Sequence, residues 1–238
     1  MPTLKTQRFP DEFEGLLSAA GRRVLHGKDA KARGVLSRGP FYTATGLIHS
    51  RWVHDGAAVL AKAFGDVMVD LVRELPNAFS SVATGMEMLP KVCRMLTSPL
   101  TPQALERAQD CGLYQLMNSE SYRAFVHVLA GRPLRGPEHL QVLCYRPGDY
   151  VGPHTDNHPT EPSVRDGYID MHLTFCTRGV VQQLLVYERE RHLTEVFDLA
   201  ASGTITAYRL PFWHYTTPLQ AKQPTARRWL VLGTFIDP

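Results

Sequence analysis

The sequence predicts a mixed α/β (α+β) chain, with a mainly helical first half supporting an antiparallel all-β second half. Three observations carry this. Apolar residues recur at helical spacing ahead of Pro76, whereas short β-branched runs cut by turn residues dominate after about residue 138. At 238 residues with 44% apolar content, the chain is also long enough to bury one full core. The expectation is a single domain over 1–238, with 1–137 a mainly helical support region holding at least one strand and 138–238 the β core.

Each element has a local reason. Phe41–Ile48 is β-branched and aromatic, which suits a strand. Val59, Leu60, Ala63, Phe64, Val67, Met68, Leu71, Val72 and Leu75 recur at three- and four-residue steps, with Lys62, Asp66, Asp70 and Glu74 on the other face. That pattern predicts one amphipathic helix, stopped by Pro76. A second helix opens at Thr101-Pro102, an N-cap followed by the one helical position that tolerates proline. A third covers about Ser119 to Leu129 and ends at Gly131 and Pro133. The strands expected after that are 139–145, 149–154, 170–177, 181–188, 193–198, 203–208, 213–217 and 228–236, a count and spacing that suggest a sandwich or jelly roll. The polar, proline-bearing stretch Asn157 to Tyr168 reads as a long loop suited to substrate contacts.

Composition narrows the function. The net charge of +3 comes from mixed charges without basic-aromatic interleaving, so nucleic acid is not an expected partner. Arg22, Arg23, Lys28, Lys31, Arg33 and Arg38 form one local basic excess, either a solvated face or a patch for an acidic substrate. The four cysteines, Cys93, Cys111, Cys144 and Cys176, include no C-x-x-C pair, which argues against a cysteine zinc site or a disulfide framework. Cys144 and Cys176 fall in apolar runs and read as small core residues. The N-terminus lacks an apolar secretory segment and no run of about 18 apolar residues occurs, so the expected setting is cytoplasmic with no membrane association. Oligomeric state leaves no trace in the sequence.

The chemistry-bearing residues begin with His154-Thr155-Asp156. Two strand residues set one apart point the same way, so this pair can hold one ion together. Two imidazoles and a carboxylate on one face of a metal are the donor set of non-heme Fe(II) oxygenases, with open positions left for further ligands. A bare His-x-Asp carries little alone, and the third ligand has several candidates: His172 in an apolar strand, His192 in a charged hairpin, and His214. His158 extends the local run to His-x-Asp-x-His, but Pro159 suggests that the chain has already left the site. Arg227 and Arg228 are adjacent, so only one can face inward from a strand.

The surrounding residues carry more. Cys144-Tyr-Arg-Pro-Gly-Asp-Tyr-Val-Gly-Pro-His154-Thr-Asp-Asn157 is followed by Gly203-Thr-Ile-Thr-Ala-Tyr208, His214-Tyr-Thr-Thr-Pro218 and Arg228-Trp-Leu-Val-Leu-Gly-Thr-Phe235. Over about residues 138–238 this ordered set resembles the Fe(II)/2-oxoglutarate-dependent oxygenase superfamily, and most closely its prolyl-hydroxylase-like branch. The resemblance implies a double-stranded β-helix (jelly-roll) core with an N-terminal helical buttress. It implies Fe(II) on His154, Asp156 and His214, with O2 and 2-oxoglutarate as cosubstrates. Arg228 would then bind the distal carboxylate of 2-oxoglutarate, with Arg227 as its alternative, and Tyr145, nine residues before His154, is either a hydroxyl donor to the cosubstrate or an ordinary packed strand tyrosine. A buried carboxylate needs such a cation, and the arginine fork donates two parallel hydrogen bonds to it. The implied reaction hydroxylates an unactivated C–H of a small metabolite, an amino acid or a peptidyl residue and releases succinate and CO2. Demethylation, desaturation or ring closure would use the same ligands. A non-redox His/His/Asp hydrolase is the other alternative, and Arg228 speaks against it. Gly233-Thr234 stands where the branch often carries tryptophan, so a prolyl substrate does not follow. Trp213 and Tyr215 either floor a substrate pocket or simply pack.

Overall fold

The computed structural model describes residues 8–83, 91–156, 167–189 and 192–238. The first half supplies α1 (Ala19–Leu25), α2 (Val35–Arg38), β1 (Phe41–Ala44), α3 (Ser50–Phe64), β2 (Val69–Arg73), α4 (Leu75–Ala83), β3 (Cys93–Thr97), α5 (Pro102–Asp110), α6 (Leu113–Asn118) and α7 (Glu120–Ala130). The caps explain where helices start and stop. Thr101 accepts from the Ala104 amide with Pro102 behind it, Ser119 accepts from the Tyr122 amide, and Gly131 ends α7 in the left-handed region.

One expectation needs correction. The helix predicted through Val59–Leu75 starts earlier, at Ser50, and ends at Phe64; Val69–Arg73 is instead a strand. Val69 to Arg73 pairs antiparallel with Thr97 to Cys93, and that partner, far along the chain, overrides the local helical spacing. The strand expected over Phe41–Ile48 stops at Ala44.

The second half supplies β4 (Leu140–Tyr145), β5 (Tyr150–His154), β6 (Tyr168–Cys176), β7 (Val180–Gln182), β8 (Leu184–Arg189), β9 (His192–Asp198), β10 (Ile205–Leu210), β11 (His214–Thr216), β12 (Gln220–Ala221) and β13 (Arg228–Phe235). The expected strand 181–188 is thus broken at Gln183. One antiparallel sheet runs β1-β10-β6-β13-β4-β3-β5-β11-β8-β9, with β2 also on β3 and β12 paired with β7 apart from it. β3 turns the corner: Leu96 and Thr97 pair with β4, whereas Cys93 and Arg94 pair with β5. The sheet therefore curls over itself into a double-stranded β-helix.

Alternation assigns the two faces. Ile169, Met171, Leu173 and Phe175 of β6 and Trp229, Val231 and Phe235 of β13 join the large core beneath the helices. A fully buried leucine or phenylalanine there contributes about 1.5–3 kcal/mol. α3 lies close enough that a Cβ on Gly56 would stand 2.3 Å from the Phe175 ring, so the glycine is a condition of this packing. The opposite face of the same strands, Asp170, His172, Arg228, Leu230, Leu232 and Thr234, lines a cavity of about 710 Å³ inside the curl.

Candidate active site

β5 and β11 are hydrogen-bonded neighbours with His154 opposite His214, so residues distant in sequence become adjacent in the fold. Both imidazoles are buried. His154 Nδ1 lies 2.8 Å from the Gly152 carbonyl and His214 Nδ1 2.9 Å from the Phe212 carbonyl. A carbonyl only accepts, so each Nδ1 carries a proton, and Nε2 is the nitrogen whose lone pair a metal would take. Those lone pairs converge with a carboxylate: Asp156 Oδ2 is 3.2 Å from His154 Nε2 and 3.6 Å from His214 Nε2. The potential ligand atoms of the three residues all lie within 4.8 Å of one another, a spacing that one metal ion can bridge. Two neutral imidazoles and one carboxylate are a borderline donor set suited to Fe(II).

Asp156 reaches this point differently from the strand alternation expected. β5 ends at His154, and Asp156 sits at φ 52, the left-handed region that aspartate tolerates better than most residues. The turn folds its carboxylate back beside the imidazole. Its other oxygen, Oδ1, accepts from Lys91 Nζ at 2.5 Å. Burial would raise the Asp156 pKa, but His154, Lys91 and His214 outweigh it and hold the carboxyl well below the usual range. Tyr168 also donates to the Asp156 carbonyl at 2.8 Å.

Arg228 is only 2% exposed and lines the cavity. Its Nε donates to the Leu199 carbonyl at 3.1 Å, Nη1 to Gln183 Oε1 at 3.0 Å and Nη2 to Thr174 Oγ1 at 3.3 Å, and the guanidinium lies 5.2 Å from the Tyr145 ring centroid. All of these partners are neutral. No described carboxylate forms an ion pair with Arg228, so a full positive charge is buried beside the cavity. Tyr145 pairs with Arg228 in the β4–β13 register and is itself buried; burial, only partly offset by Arg228, pushes its phenol up to about 12, so it remains a donor. Arg227 faces away and donates to the carbonyls of Pro224 and Ala226.

The structure therefore brings His154, Asp156, His214, Tyr145 and Arg228 to one cavity. Trp213 and Tyr215 pack edge-on against each other with ring centroids 5.8 Å apart, and neither lines the cavity. Phe212 stacks on His214 instead, at 4.6 Å. None of the six basic residues from Arg22 to Arg38 lines the cavity. His158 and the loop 157–166 lie outside the described residues, as does the side chain of His192. All four cysteines are free.

Lys91, Thr174, Gln183 and Asp170 were missed as site residues, and His172 was weighed for the site only as a metal ligand. One signal was available: in Tyr168-Ile-Asp-Met-His-Leu-Thr-Phe175 every second residue is polar, a pattern ordinarily read as a face toward water. His172 is 8% exposed, and its Nε2 has no hydrogen-bond partner, contrary to the bonded core histidine expected there. Burial, and then the Arg228 charge, push its pKa down to about 3.

This has a measurable consequence. In the unfolded chain a histidine titrates near pH 6.5, so between roughly 6.5 and 3 the unfolded state binds more protons than the folded one. Stability must fall as pH falls through that window. The metal-free His172→Gln variant should lose stability less steeply than the parent on going from about pH 7 to 4.5, by on the order of a few kcal/mol. His214, pushed down to about 3 chiefly by burial, keeps part of the slope in place. Denaturant midpoints across that pH range test this, and parallel curves for the two proteins would contradict it.

No protein-family model matches the chain, and no curated protein does. Solved structures do. The α-ketoglutarate-dependent epimerase SnoN from nogalamycin biosynthesis superposes with TM-score 0.56 at 16% identity, over 92% of this chain and 83% of that one. The carbocyclase SnoK of the same biosynthesis gives 0.52 at 11%, over 96% and 87%. A Trichoplax adhaerens prolyl hydroxylase, solved with a hypoxia-inducible-factor peptide, gives 0.51 at 12%, over 92% and 89%. The chain has the fold of the non-heme Fe(II)/2-oxoglutarate oxygenases. No helix among the described residues is long and apolar enough to cross a membrane.

Proposed function

We propose that this protein is an Fe(II)- and 2-oxoglutarate-dependent dioxygenase that hydroxylates an unactivated C–H bond of a small molecule or peptidyl residue. One observation carries the reading: a His/Asp/His cluster with both Nδ1 atoms committed to main-chain carbonyls shares its cavity with a buried arginine that has no acidic partner among the described residues. His154, Asp156 and His214 hold the metal. Arg228 takes the distal carboxylate of 2-oxoglutarate, and Thr174 and Gln183 keep its guanidinium aimed. Tyr145 packs on that guanidinium and offers its hydroxyl to the cosubstrate. When bound, Fe(II) and 2-oxoglutarate would activate O2: the cosubstrate gives up two electrons and takes one oxygen atom as it becomes succinate and CO2, and the other oxygen atom goes to the substrate C–H.

The remaining steps belong to the chain. Lys91 engages Oδ1 of Asp156, which leaves Oδ2 as the single oxygen presented to the metal. Three protein ligands on one side keep the opposite side open to the cavity. Leu185, Leu199, Leu230 and Leu232 line the walls and exclude water from the reacting groups. SnoN was solved with Fe3+, α-ketoglutarate and a nogalamycin compound, which supports the cofactor reading. Anaerobic addition of Fe(II) and 2-oxoglutarate together should produce a weak visible charge-transfer band, and either alone should not. A protein that binds both without the band would fit a hydrolase instead. The outcome is then read as a gain of one oxygen atom in the product mass.

A further inference from the structure

β6 runs along the cavity wall as a ruler. Its inward residues are Thr174, His172 and Asp170, and the first is committed to Arg228. Successive inward residues stand roughly 6.6 Å apart, so Asp170 lies roughly 13 Å along the strand from the arginine end. A five-carbon diacid anchored at Arg228 uses its length to reach the metal, and Asp170 lies beyond it. Neither the metal nor the cosubstrate accounts for this carboxylate.

Asp170 is also incompletely partnered. Its Oδ1 accepts from Thr234 Oγ1 at 2.6 Å, whereas Oδ2 makes no hydrogen bond to a described residue. No described lysine, arginine or histidine lies within ion-pair distance of it. Burial raises its pKa to about 7, only partly countered by the Thr234 hydroxyl. Asp170 is half-buried at the cavity wall, and a carboxyl there with one oxygen left open marks a place where a ligand completes the hydrogen bonding. His172 adds a second open valence, since its buried Nε2 has no partner. Away from these groups, Leu71, Met95, Leu100 and Leu140 give the cavity wall apolar stretches between Arg73, Ser98, His139 and Gln141.

We propose that Asp170, supported by Thr234, is the specificity-determining residue for the primary substrate: it accepts a hydrogen bond from a hydroxyl or amine on an otherwise apolar molecule and so sets which C–H faces the metal. This rests on the 2-oxoglutarate reading for its orientation, but its test does not depend on turnover. Cyclohexanol, cyclohexylamine and methoxycyclohexane share one apolar body and differ in whether they carry a polar hydrogen. Thermal shifts of the Mn(II)- and 2-oxoglutarate-loaded protein, and of the metal-free protein, should register the alcohol and the amine but not the ether. Asp170→Ala should weaken both donors by roughly ten- to hundred-fold, the worth of a hydrogen bond to a charged group. Asp170→Asn keeps an acceptor oxygen but loses the charge, so it should retain the alcohol and release the amine. Thr234→Val, a smaller change to the packing, should weaken both. An ether that binds as well as the alcohol, an Asp170→Ala protein that responds like the parent, or silence from every donor probe would each overturn the proposal. The charge-transfer band is read in parallel on the same protein loaded anaerobically with Fe(II) and 2-oxoglutarate. Its loss in the parent protein sinks the cofactor reading, whereas failure of the Asp170 proposal leaves the band intact and removes only the probe discrimination.

Discussion

Replacing His214 with alanine should abolish metal binding and metal-dependent turnover. The imidazole supplies one of three converging donors, and the two that remain, on a single turn, cannot close a facial site. Loss of an outer partner of a ligand alone costs 10–100-fold in affinity, so loss of the ligand should exceed roughly 100-fold. Metal content after dialysis, measured beside an exposed control such as His54→Ala on α3, gives the answer. Retention of metal in His214→Ala together with its loss in His172→Ala would move the third ligand to β6.

Arg228→Ala should weaken 2-oxoglutarate binding by roughly 2–5 kcal/mol, the cost of stranding a buried charge, or about 30-fold to several thousand-fold in Kd. It also leaves the Leu199 carbonyl, Gln183 Oε1 and Thr174 Oγ1 without their donor, so some loss of stability accompanies it. Arg228→Lys separates the two effects: it keeps the charge but loses the fork. Arg227→Ala, which removes only contacts to neighbouring carbonyls, should leave the Kd nearly unchanged. Titrating 2-oxoglutarate into each Mn(II)-loaded variant by calorimetry compares them directly. A large effect at Arg227 and none at Arg228 would mean that the binding face of β13 is the other one.

The β core was legible because each of its strands is bounded by turn residues and packs a one-sided apolar face, so the expected segments match β4 to β13 to within a few residues, apart from the break at Gln183 and the two-residue β12, which was not expected. That break was hidden because Gln183 sits in an apolar run and turns inward only to bond Arg228 and the carbonyls of Asp149 and Thr217. Val69–Arg73 failed for the opposite reason. Its spacing continues a helix, and only pairing with Cys93–Thr97 makes it a strand. That His154 and His214 would meet was legible from motif and order, and so was the inward face of Arg228. Lys91 was not, because nothing near it in sequence announces that its ammonium meets Asp156. The polar stripe of β6 misled most directly: alternation tells that one face is polar but not whether that face meets bulk water or an internal chamber.

His154 and His214 each donate Nδ1–H to the carbonyl two residues earlier on their own chain. In many metal sites the residue that orients a ligand is another side chain, so one substitution elsewhere can rotate the imidazole or switch its tautomer. Here the acceptor is main chain on both sides, so no side chain at position 152 or 212 supplies the oxygen, and the limit at 152 is steric instead: a Cβ on Gly152 would stand 2.5 Å from Val92. The site can therefore change its walls, its loops and its substrate without disturbing which nitrogen faces the metal. Only a change in the path of the backbone itself would reach that nitrogen.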